Sequence, residues 1–284
     1  MTTNFVWLDG QLVDGETARV SPFDHGLLVG DGVFETLRVY GGRPFAWRRH
    51  LERLVHSASG LGLVAPGHDE LRGACEAVLE ANALTEARLR ITVTGGVAPL
   101  GSERGDHSPT VLVAAAAVTP APDVTAVAIS PWPRNERGAT AGLKTTSYAE
   151  NVRALAYARV QGATEAVFEN TRHELCEATG SNVFVVTGDV VRTPPASSGC
   201  LLGVTRALVL ELCPTLGLAA EEVELPIGAL VDGADEAFLT STVREVQAIT
   251  AVTDWNHRYT EAPGPVTRRL ATAFTALVAR DIDP

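Results

Sequence analysis

Glu177-Ala178-Thr179-Gly180-Ser181-Asn182-Val183-Phe184-Val185-Val186 sets an acid on a turn of small residues that leads directly into an apolar strand. Downstream, Ser197-Ser198-Gly199-Cys200-Leu201-Leu202-Gly203-Val204-Thr205-Arg206 runs into an apolar helix. Small residues ahead of a helix expose backbone N–H groups that can hold an anion, although an ordinary capped helix reads the same way. Phe238-Leu239-Thr240-Ser241-Thr242 ends a strand in three consecutive hydroxyls, a second set of candidate phosphate donors. Upstream lies Leu143-Lys144-Thr145-Thr146-Ser147-Tyr148, where small and hydroxyl residues surround an amine with no acid nearby. Lys144 is the only lysine in the chain, against 22 arginines. Arginine is a permanent cation, whereas a desolvated lysine can serve as a neutral amine and condense with a carbonyl. A surface lysine at a helix start is the plainer alternative, but helix N-termini disfavour cations.

Composition narrows the classes. The 284 residues, 45% hydrophobic, suit one large or two moderate globular domains. A net charge of −11 argues against nucleic-acid binding. No apolar run reaches the length of a membrane helix, and Met1–Val13 lacks the pattern of a secretory signal, so a cytoplasmic protein is expected. Cys75, Cys176, Cys200 and Cys213 form no C-x-x-C pair and read as buried free thiols. The histidines do not cluster, and no metal is expected.

Asp9-Gly10 predicts a hairpin turn, and Gly41-Gly42 a second. Val33, Glu35, Leu37 and Val39 alternate with Phe34, Thr36, Arg38 and Tyr40, as in a strand. Helices are predicted over 48–62 and 69–81, and strands over 88–94 and 110–118, with a long glycine- and proline-rich loop between the strands. Thr119–Asp123 reads as a linker. The second half is expected to hold strands at 125–130, 165–169, 183–186 and 236–239. Helices are expected at 148–161 and 204–213 and after Pro265. Mixed elements in two unequal halves indicate α/β or α+β.

The order of lysine, acid, anion-binding turn and hydroxyl cluster resembles the class IV aminotransferases. This group includes D-amino acid aminotransferases, branched-chain aminotransferases and aminodeoxychorismate lyases. The resemblance is carried by Glu177-x4-Asn182-Val183-Phe184, Thr193-Pro194 and Gly203-Val204-Thr205-Arg206. Gly30-Asp31-Gly32-Val33-Phe34-Glu35 and His50-Leu51-Glu52-Arg53-Leu54 also match, so it spans nearly the whole chain. It implies a two-domain, fold type IV, pyridoxal-phosphate enzyme. A small N-terminal α/β domain (1–118) and a linker with the first strand (119–133) would precede a larger domain with a pseudo-barrel of strands (134–284). It further implies a homodimer. Lys144 would carry pyridoxal 5'-phosphate as a Schiff base and shuttle the α-proton, and Glu177 would keep the pyridine nitrogen protonated. Arg53, Val204, Thr205, Ser241 and Thr242 would hold the phosphate, Ser181 and Asn182 would organise the turn, and Tyr148 would line the pocket. By its helical position alone Arg53 lies off the apolar stripe and reads as solvated.

Substrate choice separates the subgroups. The Arg-x-His pair of D-amino acid aminotransferases is missing from the loop after strand 88–94, and Phe34 replaces their tyrosine. Arg88 and Arg90 share one strand face, and with loop Arg104 they suggest an unusual carboxylate clamp. Phe34-Glu35-Thr36 departs from the Phe-Glu-Gly of branched-chain enzymes, while Thr36 resembles lyase sequences. The expected reaction is transamination between a D-amino acid or (R)-amine and a 2-oxo acid through a quinonoid intermediate. Elimination of pyruvate from aminodeoxychorismate is the alternative, and branched-chain transamination is the less favoured one.

Overall fold

A computed structural model describes residues 4–284. The chain divides into two compact units, the first running to Thr119 and the second from Pro120. Leu143–Tyr148 and Ile282–Pro284 belong to the first unit despite their late position in sequence.

The first unit contains β1 (Phe5–Leu8), β2 (Gln11–Asp14), α1 (His25–Leu28), β3 (Gly32–Tyr40), β4 (Arg43–Pro44), α2 (Trp47–Gly60), α3 (His68–Ala81), β5 (Ala87–Thr94) and β6 (Val111–Ala117). The strands form a six-stranded sheet in the order β2-β1-β6-β5-β3-β4. Asp9-Gly10 and Gly41-Gly42 make the predicted tight turns, with φ of 46°, 88°, 55° and 78°, the left-handed geometry that a two-residue hairpin demands. Alternation decides what each face of the sheet meets. Val33, Leu37, Val39, Leu89, Ile91 and Val93 are buried in one core with Leu51, Leu54 and Ala58 of α2 and Leu71 and Val78 of α3. On the opposite face, Phe34, Thr36 and Arg38 stand in register with Thr92, Arg90 and Arg88.

The second unit contains β7 (Val124–Ile129), α4 (Ala149–Val160), β8 (Glu165–Glu169), β9 (Leu175–Ala178), β10 (Asn182–Thr187), β11 (Val190–Thr193), α5 (Val204–Thr215), β12 (Ala219–Glu222), β13 (Glu236–Ser241), β14 (Glu245–Val252), β15 (His257–Arg258) and α6 (Pro265–Arg280). Its sheet runs β12-β11-β10-β13-β14-β7-β8-β9, with β15 on β14. The sheet curls so that β9 approaches β10, giving a half-barrel of the kind the resemblance implies. The strand expectations omitted β14, which lies between β13 and β7. Its run EVQAITAV is buried on both faces, so the alternation that marks half-buried strands is lost. Helix α6 starts on Glu236, whose carboxylate accepts from the Val266 and Thr267 amides at 2.8 Å each; such capping satisfies otherwise orphaned donors.

Among the described residues, no helix is long and apolar enough to cross a membrane, and no group of three His, Cys, Asp or Glu side chains could hold a metal. The four cysteines are buried free thiols. Burial pushes the Cys75 thiol up to about 12 and the Cys213 thiol up to about 11.

Candidate active-site residues

The residues singled out from the sequence fall into two groups, one on each unit. In the first unit, Leu143–Tyr148 is extended alongside the start of β3. The Phe34 amide donates to the Lys144 carbonyl at 3.0 Å, the Thr146 amide to the Gly32 carbonyl at 2.8 Å, and Thr145 bridges Val33. These backbone bonds explain why the lysine run packs with the first unit, although the sequence reading assigns it to the second domain. They also explain the glycines. A Cβ at Gly32 would meet the Val93 carbonyl oxygen at 2.9 Å, and one at Gly30 would meet Ser147 Oγ at 2.8 Å. From α2, Ser57 Oγ accepts from the Lys144 amide at 3.1 Å.

Phe34 gathers the predicted substrate residues. Lys144 Nζ lies 4.5 Å from its ring centroid, the Arg90 guanidinium lies 3.7 Å from it, and Tyr148 packs edge-on at 5.2 Å. Cations are drawn to an aromatic face by its quadrupole. Thr36 is directly opposite Arg90 in register, and Arg88 follows on the same face. Desolvation of the Arg90 guanidinium, aided by the charge of Arg88 and opposed by Tyr148, holds its pKa below the ordinary arginine value.

Arg104 is engaged elsewhere. Its Nε and Nη2 donate to the two oxygens of Asp31 at 2.7 and 2.5 Å, and Nη1 donates to the Gly62 carbonyl at 3.2 Å. The Arg104 hydrogen bond and charge hold the Asp31 carboxyl below its usual range. Among the three candidate clamp arginines, the contacts of Arg104 are those of a loop anchor.

Arg53 is not solvated. Its side chain is 12% exposed and is drawn inward by Glu35, which is fully buried. Glu35 and its second partner, His50, adjoin Arg53 although neither is among the site residues singled out from the sequence. The signal was an acid in an otherwise apolar strand face.

In the second unit, Leu201 couples two of the motifs. Its amide donates to Glu177 Oε2 at 3.0 Å, and its carbonyl accepts from Asn182 Nδ2 at 2.7 Å. Arg134 Nε lies 3.5 Å from Glu177 Oε1, an ion pair without hydrogen-bond alignment. The Arg134 guanidinium also covers the Phe168 ring at 4.3 Å. Gly203 precedes α5 with no side-chain cap, and a Cβ there would collide with Asn182 Oδ1. Val204 and Thr205 therefore open a helix whose first amides have no capping side chain from Gly203, the arrangement that suits an anion. Ser241 Oγ accepts from the Arg244 amide at 3.1 Å, and Thr242 lies in the turn that follows β13. Thr240, opposite Asn182 in register, is the member of the hydroxyl run left out of the predicted set.

Whether these residues suit a phosphorylated cofactor can be judged from their unmet needs. The buried hydroxyls of Ser181 and Thr240 have no hydrogen-bond partner among the described residues. Buried polar atoms are normally satisfied. In the second unit the hydroxyls without partners and the uncapped helix start suit a phosphate group, and in the first unit the Lys144 amine suits the aldehyde of a pyridoxal phosphate.

Residues 32–252 match the model of the family described as amino-transferase class IV. The chain is 31% identical over 285 residues to the D-alanine aminotransferase of Bacillus licheniformis, covering 95% of each chain. It is 31% identical over 295 residues to the branched-chain-amino-acid aminotransferase of Escherichia coli K12, covering 98% of this chain and 94% of that one. Its fold is similar to that of the T.th. branched-chain amino acid aminotransferase solved with pyridoxamine 5'-phosphate. There the TM-score is 0.90 at 27% identity, over 97% of this chain and 94% of the other.

Proposed function

The chain belongs to the class IV aminotransferases, enzymes that use pyridoxal 5'-phosphate, and we propose that it moves the amino group of a D-amino acid to a 2-oxo acid. The observation that carries this reading is the Phe34 cluster, where one ring is shared by the Lys144 amine and the Arg90 guanidinium. An arginine beside the reacting amine suits a donor with a free carboxylate, because guanidinium–carboxylate pairing is strong and directional. Similarity to a D-alanine aminotransferase supports the choice of donor. Thr36 supports it against branched-chain donors, since it replaces the glycine of that subgroup's motif.

When bound, the cofactor supplies an aldehyde for amine condensation and a ring that accepts the electron pair released at the substrate α-carbon. Lys144 would hold it through Nζ and, once displaced, would take and return the α-proton at that nitrogen. Glu177, kept in place by the Leu201 amide and Arg134, would hold a proton on the pyridine nitrogen. Arg53, the Val204 and Thr205 amides, and the hydroxyls of Ser241 and Thr242 would bind the phosphate. Ser181 and Thr240 add two hydroxyl donors. Arg90, with Arg88 behind it on the same face, would orient the substrate carboxylate. Phe34 and Tyr148 would exclude water from the amine.

The direct test mixes the purified chain with 2-oxoglutarate and either D-alanine or L-leucine, and separately with aminodeoxychorismate. D-glutamate formed from D-alanine is the expected result. Turnover of L-leucine alone would restore the branched-chain reading that the Escherichia coli relative favours, and release of 4-aminobenzoate would make the protein a lyase. Arg90→Ala should lower kcat/KM for amino-acid donors by about 10- to 100-fold, the loss of one hydrogen-bonded charge pair. A carboxylate-free (R)-amine should be nearly unaffected; equal losses on both would refute the carboxylate role.

We also infer a homodimer. Phe23, Leu27, Val29 and Leu100 are 49, 68, 46 and 73% exposed. The segments bearing them are joined by the Ala98 amide bonded to the Phe23 carbonyl and by the Asp24–Val97 bridge. Apolar residues gathered in this way suit an interface. Light scattering should give twice the monomer mass, and Leu27→Asp should shift the population to monomer.

A further inference from the structure

Glu35 occupies a core position. It alternates with Val33, Leu37 and Val39 on the face of β3 that packs against α2, and it is fully buried. Its Oε1 accepts from Arg53 Nε at 2.7 Å, and its Oε2 accepts from Arg53 Nη2 at 2.9 Å. The same Oε2 lies 2.7 Å from His50 Nδ1, and the Thr36 amide donates to it at 3.3 Å. A buried ionic cluster is seldom the most stable filling of a core, because apolar residues of similar volume do as well or better. Its presence therefore calls for a role other than stability.

The helix indicates that role. Arg53 and Ser57 are one turn apart on α2, and Ser57 Oγ holds the Lys144 amide. Burial holds the His50 imidazole below its ordinary pKa against the pull of Glu35, and the charges of Arg53 and then Lys144 add to the lowering. The cluster thus adjoins the proposed cofactor-bearing lysine. We propose that Glu35 and His50 are positioning residues that fix the Arg53 guanidinium for the cofactor phosphate, an inference that rests on the assignment of Arg53 to that phosphate. The two parallel bonds from Glu35 lock the plane of the fork. His50, three residues before Arg53 on α2, donates from Nδ1 and holds the carboxylate in turn. Glu35 cancels the charge of Arg53, so the group acts through aimed hydrogen bonds and not through a long-range field.

The test compares pyridoxal phosphate with pyridoxal, which lacks the phosphate, by fluorescence titration of the full chain stripped of cofactor. Wild type should prefer the phosphorylated form. Glu35→Gln and His50→Phe should each reduce that preference by about tenfold, the worth of one charge-assisted hydrogen bond. His50→Asn, whose Nδ2 can replace the Nδ1 donor, should recover most of it. If Glu35→Gln does not fold, the two His50 variants decide the question. A preference left intact in the variants, or equal weakening of both ligands, overturns the inference while leaving the assignment of Arg53 standing. A wild type without any phosphate preference removes that assignment and the inference with it.

Discussion

Lys144→Ala is expected to lose amino transfer by at least ~10²-fold and up to ~10⁴-fold, the contribution of a positioned proton-transfer group. Loss of the covalent attachment adds to this. Cofactor should wash out on dialysis, and the visible absorbance of the lysine-bound cofactor should disappear. The fold should survive, because the segment is held by its backbone. The Lys144 carbonyl and amide bond Phe34 and Ser57, and both remain in alanine. Far-ultraviolet circular dichroism should therefore match wild type. An alanine variant that keeps the visible band would reject the assignment of Lys144.

Glu35→Ala is expected to cost about 3–5 kcal/mol of stability, the usual effect of removing one partner from a buried ion pair. It leaves Arg53 and His50 without their shared acceptor, in a core that cannot admit water freely. Urea unfolding followed by tryptophan fluorescence measures the loss, since Trp47 lies in the same core. The effect should depend on pH. Burial alone would raise the Glu35 carboxyl, but Arg53 and His50 outweigh it and hold the carboxyl well below its ordinary 4.5. A depressed carboxyl contributes stability that is complete above its unfolded pKa and is lost as pH falls toward the folded value. The gap between wild type and Glu35→Ala should therefore be constant near neutrality and shrink below about pH 4.5. A gap that does not change with pH would mean that Glu35 acts by packing and not by charge.

Legibility in the sequence followed the range of the interactions. Hairpin turns at Asp9-Gly10 and Gly41-Gly42 were readable because the left-handed conformation selects residues locally. Helices α2 and α5 were readable from period and flanking residues. Strand β14 was missed because burial on both faces removes alternation. Arg53 was misread from its helix alone, because the acid that draws it inward lies 18 residues earlier on another element. The pairing of Arg104 with Asp31 is not legible in the sequence because the two lie 73 residues apart.

The sequence by itself determined the cofactor chemistry. A single lysine, an acid before a strand, and a glycine turn opening a helix are local patterns, and their order along the chain carries the resemblance to the family whose model the chain matches. Tertiary structure decided which side chains meet. It set Lys144 against β3, collected Arg90 and Tyr148 around Phe34, tied Arg104 to Asp31, and drew Arg53 onto Glu35. Those meetings depend on strand register and on the cost of burying a charge without a partner, and neither quantity is written in any local stretch of the chain.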